Sequence, residues 1–372
     1  MSALQAMCFK TAMCVMSMIV ALSFQSCGKQ SADPKADKRL TALAIDTVSV
    51  EPIEQNSYCG FSGQYNDSLF YFDAVLSYCY TILPDGRVGS RMLGLGHGPN
   101  ELPITSALSV AYDRSQHQLV AMGGSYDAYT YNGQKVKRAD MAHQGSTESF
   151  DSPNAYTVLE EVNMLASDGS IYYNVTGNNE KVDFVHNSGY FEKAAIIMKV
   201  DLKDGKMSPI GKYSDFYAQN KDRLRHLPLA YFDRTPDGDF YVCYQADSLV
   251  YHYDKDFNLK ESFGYAGEGM VCDYTASGSS EESVVNAYTK DIERVGLYYW
   301  IRQIDGYTFR SYRKSGESSA DGMQIYKDGV LVGDVEVPHG FKVTGYIEPY
   351  FYSSIVTDEE AGKMFFYRFK LK

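Results

Sequence analysis

Residues 93–136 read LGLGHGPNELPITSALSVAYDRSQHQLVAMGGSYDAYTYNGQKV. A glycine-rich loop carrying Gly94, Gly96 and Gly98 opens the stretch. Strand-like runs follow, cut by polar turns, and the last turn is Asn132-Gly133. Asn-Gly and Asp-Gly supply the positive φ that two-residue hairpin turns need. The same signal recurs at Asp85-Gly86, Asp168-Gly169, Asp204-Gly205, Asp237-Gly238, Asp305-Gly306 and Asp328-Gly329. Its flanks read as strands: SIYYNVTG after Gly169, DFYVCYQ after Gly238 and VLVGDVEV after Gly329. Several spacings fall at roughly 33–47 residues, the period of a four-stranded propeller blade. A second glycine loop, FGYAGEG at 263–269, closes the strand–turn–strand stretch that starts at Asp237.

Composition agrees. The chain has 372 residues, 44% hydrophobic and 22% charged, enough apolar content for a sizeable core. Its 32 Tyr and 19 Phe favour strands over helices. The expected fold is therefore all-β, a β-propeller spanning residues 40–372. A net charge of −12 and the lack of a basic stripe argue against a nucleic-acid partner. No long apolar run follows the N-terminus, so a multi-pass membrane protein is excluded.

The first residues read as an address. Lys10 is followed by the apolar run AMCVMSMIVALSF, and then Gln25, Ser26 and Cys27. A charged start, a short apolar stretch and a small residue before the cut describe a secretory signal peptide, here residues 1–26. FQSC resembles a lipobox with Cys27 as the lipidated residue, although Phe24 stands where Leu is usual. The plain alternative is an ordinary signal peptide cut nearby. Residues 27–39, Cys27 followed by GKQSADPKADKR, read as a polar tether. Two or more acyl chains make such an anchor stable. Gly28 is not the Asp that holds lipoproteins at the inner membrane. The expected location is the outer membrane on its periplasmic face, with the cell surface as the alternative.

LGLGHGPNEL resembles the inter-blade segment of NHL-like and TolB-like six-bladed β-propellers, most closely the TolB-like propeller lipoproteins of Gram-negative bacteria. The terminal KMFFYRFKLK resembles their closing strand, and the resemblance implies six blades, with seven as the alternative. The chain departs from that pattern in its third quarter and between Val271 and Val295. There, Ser279 and Glu282 form a capping-box pattern. Val284, Val285, Tyr288, Ile292 and Val295 recur at helical spacing, which predicts a short helical insertion. DFYAQNKDRLRHL, residues 215–227, is a second helical candidate. Ring closure predicts that TALAIDTVSVEPI shares a blade with the C-terminal strand, with Ala42, Ala44, Val48 and Val50 facing inward. In that last strand Phe365, Tyr367, Phe369 and Leu371 form the apolar face.

Chemical motifs are sparse. The Gly94–Glu101 loop is neither a Walker loop nor a dinucleotide fingerprint. It is read first as a tight crossing, and second as a channel-mouth contact through His97, Asn100 and Glu101. The seven histidines show no zinc spacing, and Asp254, Asp256 and Asn258 lack the Gly and Glu of a calcium loop. No metal or cofactor is expected. Cys59, Cys79, Cys243 and Cys272 stand either as free thiols or in one of three disulfide pairings. Two functions remain: a non-catalytic propeller that binds a protein or small-molecule ligand, or a secreted hydrolase or lyase acting on glycans or lactones. The anchor is directly testable. Mass spectrometry of the mature N-terminus is expected to find diacylglyceryl-Cys27; an unmodified or uncleaved Cys27 refutes it.

Overall fold

The computed structural model describes residues 39–371, apart from 105, 125–126, 142–143 and 159–161. The signal peptide, the lipobox at Cys27 and His143 lie outside the described residues. Leu40–Lys372 is one compact unit.

The first strand, β1 (Ile45–Ser49), belongs to the last blade. Blade 1 holds β2 (Gly60–Tyr65), β3 (Ser68–Asp73), β4 (Cys79–Ile82) and β5 (Val88–Leu95), with the short β6 (Glu101–Leu102) outside β5. Blade 2 holds β7 (Ala107–Asp113), β8 (Gln118–Gly123), β9 (Asp127–Tyr131) and β10 (Val136–Asp140). In blade 3, β11 (Tyr156–Val158) and β12 (Met164–Ser167) both pair with β13 (Ser170–Gly177), followed by β14 (Ile197–Asp201) and β15 (Met207–Ile210). Blade 4 holds β16 (Ala230–Arg234), β17 (Phe240–Tyr244), β18 (Val250–Tyr253) and β19 (Leu259–Phe263). Blade 5 holds β20 (Leu297–Ile304), β21 (Tyr307–Arg313), β22 (Asp321–Lys327) and β23 (Val330–Val337). Blade 6 holds β24 (Val343–Ile347), β25 (Tyr350–Ser353), β26 (Val356–Asp358) and β27 (Lys363–Phe369), and β27 pairs with β1.

The innermost strands form a ring. β2 touches β7, β7 touches β12, β16 touches β20, and β24 touches both β20 and β2. The protein is a six-bladed β-propeller, and the seven-bladed alternative is excluded. The predicted hairpins form where expected: Asp168 and Gly169 have φ of 54° and 72°, the two-residue turn between β12 and β13.

Each sheet buries both faces, because a neighbouring blade lies on either side. On β3, Leu69 and Tyr71 pack against Tyr352, Met364 and Phe366 of blade 6. The alternate residues Phe70 and Phe72 pack against Leu119, Ala121, Tyr129 and Tyr131 of blade 2. This explains the tyrosines: Tyr71, Tyr173, Tyr244, Tyr298, Tyr312, Tyr326 and Tyr352 are fully buried core residues, where half-buried strands would leave them partly wet. It also corrects the C-terminal strand, in which Met364, Phe366 and Phe369 are buried while Phe365 and Tyr367 are half-exposed.

The two ends of the propeller do share a blade. Ile45 lies opposite Phe369 and Ser49 opposite Phe365 in antiparallel register. Pairing starts only at Ile45, so Ala42 and Ala44 are exposed and do not face inward. Just before it, Leu40 bonds Val332 and Asp334 at the outer strand of blade 5, donating at 2.9 Å and accepting at 3.1 Å.

Among the described residues four α-helices decorate the connections: α1 (Tyr190–Lys193), α2 (Asp215–Gln219), α3 (Lys221–Leu224) and α4 (Glu281–Ile292). α4 is the expected insertion, lying between blades 4 and 5. Its cap is Ser280, whose hydroxyl accepts from Ser283 N, one residue beyond the predicted Ser279. The buried face is Val284, Ala287 and Asp291, whereas Val285 and Tyr288 point to solvent. A polar clasp docks this face. Asp291 accepts from Thr275 N and Oγ1 at 2.7 Å each, from Arg294 at 2.8 Å and from His226 Nε2 at 3.0 Å. Burial lowers the His226 pKa, which favours the neutral ring with its proton on Nε2.

Deleting residues 363–372 removes three buried side chains and leaves β1 unpaired. The expected loss is several kcal/mol, at about 1.5–3 kcal/mol per side chain, out of a typical ~5–15 kcal/mol. Urea denaturation followed by circular dichroism reads it; an unchanged midpoint and slope would show that the seam carries no weight.

Candidate functional site

The C-terminal ends of the inner strands converge on one mouth of the channel, where polar side chains link blade to blade. Blades 2 and 4 use the same sequence element there: Tyr112-Asp113-Arg114-Ser115 and Phe232-Asp233-Arg234-Thr235. In each, Asp reaches forward and Arg reaches back. Asp113 accepts from Gly169 N of blade 3 at 2.9 Å, and Asp233 accepts from Gln303 N and Arg302 of blade 5 at 2.6 and 2.9 Å. Arg234 donates back to Ser167 Oγ and Asp168 of blade 3 at 2.7 and 2.8 Å, and Arg114 donates back to Gln64 Oε1 of blade 1.

The remaining gaps are closed differently. Trp300 Nε1 on blade 5 donates to Val343 O of blade 6 at 2.9 Å. Gln64 spans the seam, donating to Tyr346 O at 2.7 Å and accepting from Tyr346 N at 3.0 Å. Every blade boundary is thus crossed by a side-chain bond, five of them at this mouth and the Trp300 bond deeper in the channel, since Val343 begins β24.

The electrostatics of this mouth are uneven. Asp233 is buried, and both its oxygens are taken by blade 5. Arg302 stacks over the Trp300 ring at 5.4 Å. Solvent reaches Arg114, yet protein surrounds it. Loss of hydration, then repulsion from Arg302, holds its pKa below the usual value, while Asp233 opposes the shift. Arg114 and Arg302 come from blades 2 and 5, which stand opposite each other in a six-membered ring. Arg114 directly follows β7 and Arg302 lies two residues before the end of β20, so both stand at the same mouth of the channel.

The glycine loop lies elsewhere. Gly94 and Leu95 of β5 pair in parallel with Glu101 and Leu102, and Pro99 O accepts from Val136 N in the outermost strand of blade 2 at 2.7 Å. The loop therefore ties the rims of blades 1 and 2. The loop is thus the tight crossing of its first reading, and His97, Asn100 and Glu101 are exposed on that rim and not at the channel mouth of the second. Glu101 is used locally, accepting from Gly98 N at 2.8 Å. Gly96 has φ 147°, and a Cβ there would stand 2.1 Å from the Glu101 carboxylate.

Other candidates resolve as follows. Cys59, Cys79, Cys243 and Cys272 are free thiols. Asp254 and Asn258 bond to each other across a turn. Among the described residues no group of three His, Cys, Asp or Glu side chains converges as a metal site would. Two constellations escape sequence reading. Arg310 is fully buried, stacked 3.9 Å from the Tyr298 ring centre, and donates to Ser248 O and Tyr265 O at 2.8 and 2.9 Å. At the N-terminal ends of the inner strands, buried Asp321 accepts from His339 Nδ1 at 3.1 Å, Tyr299 OH at 2.9 Å and Gly340 N at 2.8 Å. The paired Asp-Arg repeat was the one available signal for the channel mouth.

Comparisons with known proteins place the fold and stop there. No family model matches the sequence, and no curated protein matches it. Among solved structures, a member of the DUF4221 family from Bacteroides vulgatus superposes with a TM-score of 0.66 at 12% identity, covering 90% of this chain and 99% of that one. A protein of unknown function from Bacteroides thetaiotaomicron gives 0.40 at 13% identity, over 88% and 76%. The β-propeller domain of Swd1 from Myceliophteria thermophila gives 0.41 at 10% identity, over 88% and 100%.

Three substitutions separate rim from mouth. Gly96→Ala is expected to cost about 1–3 kcal/mol through backbone strain, with His97→Ala within about 0.5 kcal/mol of wild type. Asp233→Asn is expected to cost about 1.5–3 kcal/mol, the worth of hydrogen bonds to a charged group. Equilibrium denaturation checks all three; a neutral Asp233→Asn would show that the forward clamp is ornamental.

Proposed function

We propose that this chain is a TolB-like lipoprotein of the outer membrane, anchored through a lipidated Cys27 and facing the periplasm. Its propeller binds a small-molecule ligand or a partner protein at the channel mouth without turning it over. The observation that carries the binding reading is the convergence of Arg114, Asp233 and Arg302 from three blades on one opening. Guanidinium groups carry five N–H donors each, and most of those on Arg114 and Arg302 remain unused. Pockets of this kind, with a few polar groups fixed on rigid strands, are the usual binding sites of such folds. The anchor rests on the sequence alone: an apolar run ending at Ser26-Cys27, then a polar stretch.

A second reading has one observation in its favour. Asp321 holds His339 through Nδ1, and the His339 side chain is 59% exposed. An oriented imidazole of that kind is the arrangement of a general base, as a secreted hydrolase or lyase on glycans or lactones would need.

Membrane fractionation and activity assays decide between these. Cys27→Ser is expected to move the protein from the membrane to the soluble fraction. Chromogenic glycosides and lactones are expected to remain intact with the purified protein. Turnover that His339→Ala abolishes would replace the binding reading with the enzymatic one, and membrane retention of Cys27→Ser would remove the anchor.

A further inference from the structure

The two Asp-Arg clamps are built alike but are not charged alike. In blade 4, the backward-reaching Arg234 meets the carboxylate of Asp168 at 2.8 Å. In blade 2, the equivalent Arg114 meets the neutral amide of Gln64, its one hydrogen-bond partner among the described residues. That amide is already committed, since Gln64 Oε1 also accepts from Tyr346 N and its Nε2 donates to the carbonyls of Tyr346 and Asn66. Arg114 is therefore a clamp arginine with no carboxylate in ion-pair contact among the described residues; Asp233 acts on it only from farther off. It stands at an opening where Arg302 also presents its charge. Arg302 cannot swing away, because Asp233 holds it from below at 2.9 Å and the Trp300 ring lies against it.

We propose that the channel mouth between Arg114 and Arg302 binds an oxyanion, a phosphate or carboxylate group carried by a small ligand. This deepens the binding reading above and rests on it. Two guanidinium forks from opposite blades match the oxygens of such a group, and each fork can donate two parallel hydrogen bonds. A partly enclosed opening strengthens the attraction relative to bulk water. The site is local: the chain as a whole carries −12, so its overall field does not draw anions in. The loss of hydration and the repulsion that depress the Arg114 pKa are both relieved when an anion fills the opening.

Isothermal titration of the purified propeller with inorganic phosphate and, separately, with succinate tests this, with ionic strength fixed by sodium chloride. Wild type is expected to bind at least one of them. Arg114→Gln is expected to weaken that binding about tenfold or more, the scale of one charge-assisted bidentate contact. Arg114→Lys, which keeps the charge and loses the fork, is expected to fall between. Binding of phosphate alone assigns a phosphoryl ligand, and binding of succinate alone assigns a carboxylate. Circular dichroism melts verify that each variant is folded, and the lysine variant serves if the glutamine variant is not. A wild type that binds neither anion overturns the proposal, including the case in which the mouth receives an acidic side chain of a partner protein. Equal affinity in wild type and Arg114→Gln overturns it too. Either result leaves the binding reading itself to the fractionation and turnover assays.

Discussion

Everything in this molecule depends on the burial of both faces of every sheet. A blade of four strands with two apolar faces is stable only between two other blades. Six such blades satisfy one another only as a closed ring. The seam is therefore the critical contact: β1, from the start of the propeller, pairs with β27 at its end from Ile45–Phe369 to Ser49–Phe365. Leu40 extends the staple to blade 5. An open seam would wet the faces carrying Leu69, Tyr71, Tyr352 and Phe366 together.

Apolar packing holds the blade faces, inner strands included, as with Phe232, Tyr298 and Val343, but it gives way to polar groups at the C-terminal ends of the inner strands. There the protein relies on charge. Asp113 and Asp233 reach forward one blade, and Arg114 and Arg234 reach back one. Each clamp spans three blades, so two of them cover blades 1 to 5, and Trp300 and Gln64 complete the circuit. The same groups that brace the ring thus end up concentrated around its opening. Structural need and binding capacity coincide at Arg114 and Arg302.

Buried charge recurs where the connections leave the blades. Arg310 of blade 5 ties to blade 4 through the carbonyl of Ser248 and to the segment after that blade through the carbonyl of Tyr265. Asp291 gathers Thr275, Arg294 and His226 to fasten α4 beside the same junction. Both lie at the boundary between blades 4 and 5, where the longest insertion interrupts the repeat. A buried ion left without its partners costs several kcal/mol, so these clasps fix one geometry for an otherwise irregular crossing.

Much of the architecture was legible locally. Asp-Gly and Asn-Gly turns, aromatic strands and their spacing specify short antiparallel strands in repeated sheets, because turn geometry depends on a few consecutive residues. The strong terminal strand and the β-like stretch near Leu40 specified a shared blade, since sheet edges need partners. The helical insertion was visible in its spacing, although its cap fell at Ser280 and its buried face on Ala287 and Asp291. What the tertiary structure alone decided was orientation. Alternation cannot assign a face when both faces are buried, so Phe366 is core where a one-sided strand would expose it. Nor can local sequence place a loop at rim or axis: the glycines at 94–98 tie two rims, and His97 went with them. Arg114, Asp233 and Arg302 meet only because a closed ring brings blades 2, 4 and 5 to one opening.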